Sequence, residues 1–235
     1  MIGELSKRIR LTTWAACLLA VPEIASAQLS WDLSHGAGLH EEDARFLPGM
    51  YYFHKGCEYY KRGDAASAIH AWEIGASWAM KDAQYDLGIA YFKGRGVAVD
   101  RPRGLAWLAL AAERKDEIFE TALAAAWDEA TPDEHARANE IWNELRKKYG
   151  DEFALRRAQN HFTQEKNGIT GSHVGMPGHV TIWSRTMGTL DGATFIAKLD
   201  KLSERNFGKL PTGHVDVGPL EAIGDDGGAA SKPAH

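Results

Sequence analysis

The stretch that most constrains this chain runs from Asp82 to Lys115, DAQYDLGIAYFKGRGVAVDRPRGLAWLALAAERK. It reads as helix, glycine loop, helix. Ala83, Leu87, Gly88 and Tyr91 fall at i, i+4, i+5 and i+8, along one side of a 3.6-residue helix. Small Ala83 and Gly88 let a second helix approach closely, and Leu87 and Tyr91 fill the space around the contact. Gly94-Arg95-Gly96 then stops the helix, because glycine enters the left-handed region at no steric cost. Asp100 is placed to cap the next helix, with Pro102 in its tolerant first turn. Leu105, Ala106, Leu108, Ala109 and Ala112 make that helix's apolar face, and Trp107 is its largest body.

The pattern A-x-x-x-L-G-x-x-Y-x-x-G-x-G-V-x-x-D, then tryptophan and paired alanines, resembles the Sel1-like repeat, a relative of the tetratricopeptide repeat. Ala83, Leu87, Gly88, Tyr91, Gly94, Gly96, Val97, Asp100, Trp107, Ala111 and Ala112 carry it. One departure is Gly104, near where the family prefers alanine, and it is expected to loosen the second helix slightly. The resemblance implies a protein-binding α-solenoid, not a reaction. Some secreted relatives staple each repeat with a cysteine pair and include proteins described as binding or hydrolysing β-lactams. This chain lacks that framework, so the activity is not carried over.

Met50 to Met80 reads as a weaker copy. Aligning Gly56 with Gly88 brings Tyr59 onto Tyr91, Tyr60 onto Phe92 and Lys61 onto Lys93. Asp64 then matches Asp100, and Trp72 matches Trp107 within one residue. The turn Arg62-Gly63-Asp64 is tighter than the Gly94–Asp100 loop. Self-similarity at this period is what stacked helix pairs produce. Asp116 to Ala130, with Ala122, Ala124, Ala125, Ala126 and Trp127, supplies the first helix of a degenerate third pair. Thr131-Pro132-Asp133-Glu134 is a capping box opening a helix to about Tyr149, with Ala138, Ile141, Trp142 and Leu145 on one face. Gly150 ends it. Asp151 is placed to cap another helix through Phe153, Leu155, Ala158 and Phe162. These two helices are expected to cover the last apolar face of the array.

The ends read differently. Lys7, Arg8 and Arg10 precede an apolar run from Leu11 to Val21, and Ala25-Ser26-Ala27 is a small-x-small cleavage site. Residues 1–27 are therefore expected to be a signal peptide, leaving Gln28 first in a periplasmic or secreted protein. The run is far short of the roughly 20 residues of a membrane span. Trp14 stands where a lipoprotein signal ending at Cys17 would want an aliphatic residue. Residues 28–48 form an N-terminal arm with a short helix around Glu41 to Phe46, and 49–166 the repeats with capping helices. Residues 167–223 form a small α+β appendage, and 224–235 an acidic, glycine-alanine tail expected to be disordered. In the appendage, period-two alternation marks strands at His179–Trp183 and His214–Val217. Between them Asp191 caps a helix bearing Phe195, Ile196, Leu199 and Leu202. The fold class is mainly α: an α-solenoid of helix hairpins with a small C-terminal β-containing appendage.

Composition narrows the function. The chain's formal charge is −5, and the leader's bases outnumber its acids, so the remainder is more acidic still. That argues against nucleic-acid binding, which needs a basic footprint, and against a polybasic membrane contact. Cys57 alone survives cleavage, so no intramolecular disulfide is available, and a buried, unreactive thiol is expected.

Ser172, His173, His179, His214 and Asp216 are the only cluster with catalytic or metal-binding residue types. They lack any metal-ligand spacing or nucleophile elbow, so a hydrolase or metal site there is the alternative reading. No metal and no cofactor are expected. Gly94-Arg95-Gly96 lacks the third glycine and preceding strand of a phosphate loop. Glu73, Glu113, Glu117 and Glu120 are read as scattered carboxylates on outer faces. The leading candidates lie on the first helices of the two repeats. Phe53, Cys57 and Tyr60 share one stripe; Tyr85, Ile89 and Phe92 share its equivalent, with Lys61 and Lys93 at the edge. Two expectations stand side by side: an open groove that anchors a partner protein or peptide, or one filled by the chain's own arm or appendage.

Overall fold

The computed structural model describes residues 41–170, 181–184 and 188–208. Among them the order is α1 (Glu41–Phe46), α2 (Pro48–Lys61), α3 (Ala65–Ser77), α4 (Lys81–Lys93) and α5 (Arg101–Ala111). A 3₁₀ turn (Ala112–Arg114) leads to α6 (Glu117–Glu129), α7 (Pro132–Tyr149) and α8 (Asp151–Thr170). Strands β1 (Thr181–Ser184) and β2 (Gly188–Asp191) and helix α9 (Gly192–Phe207) follow. The protein is mainly α, built from helix hairpins with a small β-containing C-terminal part.

Local chemistry sets the boundaries. Gly94 ends α4 at φ 71°, left-handed. The carboxylates of Asp64, Asp100 and Asp191 accept from the backbone N–H groups of Ser67, Arg103 and Thr194, capping α3, α5 and α9. The capping box of α7 is complete: Thr131 N–H donates to Glu134 at 2.8 Å and Glu134 N–H to Thr131 Oγ1 at 3.3 Å.

Glycines bring the paired helices together. A Cβ on Gly56 would lie 2.3 Å from Trp72 Cδ1, and one on Gly88 2.7 Å from Leu108 Cγ. The two aligned glycines thus do the same work in both hairpins, and the counterpart of Trp72 is Leu108, not Trp107. Trp107 instead sets its ring edge-on to Tyr149, at 4.7 Å. Gly104 does not loosen α5. A Cβ there would stand 2.6 Å from Phe92 N and 2.8 Å from Gly88 O, so its absence lets α5 lie directly on α4.

Two cores result. The larger runs through α2 to α7 around Leu87, Leu105, Leu108 and Trp107. The smaller joins Phe46 and Leu47 to Ala158 and Phe162 of α8 and to Phe195, Leu199 and Phe207 of α9. Helix α7 packs on α5, as a closing helix should. Helix α8, by contrast, turns back to α1, where Arg45 pairs with Glu165 and His161 meets the Arg45 carbonyl at 2.7 Å. It therefore does not cover the last face of the array. Its buried stripe is Ala154, Ala158 and Phe162, while Phe153 is 45% exposed. Helix α8 also runs past residue 166, so the expected boundary with the appendage falls inside it.

Strand β1 overlaps the expected His179–Trp183 strand, but its partner is β2, antiparallel from Thr181↔Asp191 to Ser184↔Gly188. The expected strand at His214–Val217 lies outside the described residues. Among the described residues no helix is long and apolar enough to cross a membrane.

Gly104→Ala separates packing from propensity. Intrinsic preference alone would gain about 1 kcal/mol, whereas overpacking the α4–α5 contact costs about 1–3 kcal/mol. Urea denaturation is expected to show net destabilisation.

Candidate protein-interaction face

The first helices of the two matched hairpins, α2 and α4, carry the residues singled out in the sequence, and α6 follows them. They lie in series. Cys57 on α2 feels the charges of Asp86 and Asp82 on α4, and the Tyr85 ring meets the Phe119 ring of α6 at 5.4 Å.

The structure closes much of the expected groove. Phe53, Tyr85 and Phe92 are core residues, with exposures of 4%, 8% and 4%. Phe53 lies where α2 crosses α3, a contact tight enough that a Cβ on Gly75 would be 3.3 Å from its backbone N. Tyr85 is covered by α6 through Phe119. Phe92 is covered by the Arg101 guanidinium, 4.7 Å from its ring centroid, with Lys93 on the same ring at 5.0 Å. Ile89 is half-buried against the core. Tyr60, Lys61 and Lys93 stay at the surface. The Tyr60 ring leans on Trp72 at 5.6 Å, and Lys93 pairs with Glu129 of α6 at 3.0 Å. The face is thus an apolar floor already in use, with one aromatic and two lysines at its C-terminal rim.

Cys57 is half-buried and free. Burial first, then the charge of Asp86, push its thiol up to about 12. The reactive thiolate is therefore scarce near neutrality.

The most strongly charged cluster was missed by sequence reasoning. Lys81, 5% exposed, sends its ammonium to Glu113 at 2.8 Å, Asp151 at 3.0 Å, Gln84 Oε1 at 3.1 Å and the Leu110 carbonyl at 2.7 Å. Arg114 grips Asp151 with two bonds, at 2.7 and 3.0 Å, and donates to the carbonyls of Ala79 and Asn206. Glu113 also accepts the Asp151 N–H at 3.0 Å. Glu113 is therefore no outer-face carboxylate, and Asp151 opens α8 as an ion-pair partner rather than as a cap. Burial works against the Asp151 carboxylate, but the Arg114 hydrogen bonds and the Lys81 charge outweigh it and hold the acid below its usual range. No periodicity marks a lone lysine at a helix start for this role.

Among the described residues no group of three or more His, Cys, Asp or Glu could hold a metal ion. Ser172, His173, His179, His214 and Asp216 lie outside them. A shallow cleft of about 470 Å³ is lined by Trp78 and, on α8, by Phe153, Arg156, Arg157 and His161 among others.

Comparison with known proteins gives one match. Residues 81–116, covering α4, its loop, α5 and the 3₁₀ turn, fit the family model described as Sel1 repeat. No curated protein and no solved structure matches the chain.

Burial predicts how the two halves of the face respond to truncation. Tyr85→Ala should destabilise about as much as Leu87→Ala, about 2–5 kcal/mol, since each empties a core site. Tyr60→Ala should cost about 1 kcal/mol or less. Thermal melts of the three variants test the division.

Proposed function

We propose that the chain, whose residues 81–116 fit the Sel1 repeat model, is a non-catalytic scaffold that binds another protein through the rim of the face made by α2, α4 and α6. Sel1 repeats typically mediate protein interaction, so this role is the one the fold is suited to. The observation that carries the choice of surface is Tyr60. It is a large aromatic left 41% exposed at the end of α2, beside Lys61, whose equivalent on α4 is Lys93. Tyrosine is among the residues most enriched where a protein partner is anchored. The suppressed Cys57 thiol fits a binding role better than a nucleophilic one.

A photo-cross-linking amino acid at position 60 is expected to capture a discrete partner, with capture lost on Lys61→Glu plus Lys93→Glu. The same probe at Phe153, on α8, should not capture it. Equal capture from both positions, or none from position 60, rejects this surface.

We propose also that the scaffold acts outside the cytoplasm, in the periplasm or beyond, after cleavage following Ala27. The support is the basic, apolar and small-residue sequence of 1–27. Mass spectrometry of the exported protein should find Gln28, or its cyclised form, at the N-terminus. An intact Met1 there would refute the reading.

A further inference from the structure

Asp82 and Asp86 stand one turn apart on α4, so their carboxylates share one side of the helix. Both are half-buried. No side-chain hydrogen bond or ion pair among the described residues neutralises either of them. The cations nearby are committed elsewhere or stay at a distance. Arg114 is held by Asp151, Arg205 approaches from α9, and Arg95 is exposed on the loop after α4. Of the remaining groups facing the pair, Asp116 before α6 adds negative charge, and Tyr85 on α4 itself and Cys57 on α2 add none; the exposed cation Lys61 lies beyond Cys57. Two unpaired carboxylates this close and this enclosed cannot both ionise without cost.

We propose that Asp82 and Asp86 form a proton switch in the face of the repeats, holding protons in mild acid and releasing them above neutrality, with the helix stack tightest in the protonated state. This device is independent of the scaffold role, since its readouts are stability and proton uptake rather than binding.

The titration of the pair agrees with its geometry. Burial first, then the neighbouring Asp82 charge, raise Asp86 to about 7 against the pull of Arg95. Burial raises Asp82 to about 6; its own backbone N–H and the Arg205 and Arg114 charges oppose this, and Asp116 adds to it. In the unfolded chain both acids titrate near the ordinary value of about 3.9. The folded state therefore binds more protons between those limits, and stability falls as pH rises. The pair's contribution is complete below about pH 4 and is lost as pH rises through about 6 and 7. His54 works the other way. Burial, aided by Lys61 and opposed by Glu58, lowers its proton affinity, so its contribution is lost as pH falls through the ordinary histidine range. A difference between the wild type and variants of the pair cancels that background.

The test is thermal unfolding of the full chain, with Asp82→Asn, Asp86→Asn and the double variant, from pH 5 to pH 8. The amide imitates the protonated acid and cannot ionise. The double variant is expected to melt about 5 °C above the wild type at pH 8, with the gap closing towards pH 5. Carboxyl carbon NMR of the wild type should show two aspartates titrating near pH 6 and 7, both missing from the double variant. A melting gap that does not change with pH overturns the proposal. So do aspartate midpoints that all lie near 4, whether or not the variants fold.

Discussion

The Lys81 ammonium is the contact on which the arrangement of the helices depends. It sits at the first position of α4, where the helix dipole disfavours a cation. What holds it there is the far end of α5, whose Leu110 carbonyl it caps at 2.7 Å, together with Glu113 and Asp151. Arg114 completes the cluster by binding Asp151, Ala79 and Asn206 at once. One polar knot therefore joins the start of α4 to the ends of α5 and α9, the α3–α4 turn and the start of α8. Gln84, wholly buried, extends it to the Ala76 and Tyr149 carbonyls. Removing one partner from a buried ion pair typically costs about 3–5 kcal/mol, because the other charge is left stranded. Apolar packing would tolerate small slips between these helices; a hydrogen-bonded knot does not. The return of α8 towards α1 begins here, at Asp151.

What could be read from the sequence is what depends on neighbours along the chain. Gly94, Asp100, the Thr131–Glu134 box and Asp191 act within one turn, and each acts as read. The helix pairing within each hairpin was equally legible, because Gly56 and Gly88 mark where a partner helix must touch. Periodicity names a face but not what covers it. Tyr85 has the spacing of an anchor, but α6 covers it with Phe119, and of the apolar residues on α8 Phe153 stays exposed while Ala158 and Phe162 are buried. Glu113 and Lys81 meet across a gap of 32 residues, and no local pattern encodes such a pair. Strand β2, Gly-Thr-Leu-Asp, is too short to show alternation and is defined only by its pairing with β1.

Gly104 shows why a family preference and a physical requirement differ. By the alignment of Asp64 with Asp100, its counterpart in the first hairpin is Ala68, which is fully buried. Alanine fits there, yet in the second hairpin the α5 backbone lies so close to Phe92 that even a methyl group meets backbone atoms. Helix propensity is weak, at about 1 kcal/mol for glycine against alanine. Close backbone approach, which improves every contact along the crossing, outweighs it.

The same alignment accounts for the one exposed aromatic on the face. Tyr60 and Phe92 are equivalent residues, yet one is at the surface and the other in the core. The residue following the capping aspartate contributes to this. After Asp100 comes Arg101, whose guanidinium lies over the Phe92 ring while it bonds the Glu129 carbonyl and pairs with Glu134. After Asp64 comes Ala65, which has no side chain long enough to reach Tyr60. The tight Arg62-Gly63-Asp64 turn adds no cover either. Exposure at the rim is thus a property of the first hairpin rather than of the repeat, and the cover that Arg101 gives Phe92, which Ala65 cannot give Tyr60, is part of the difference.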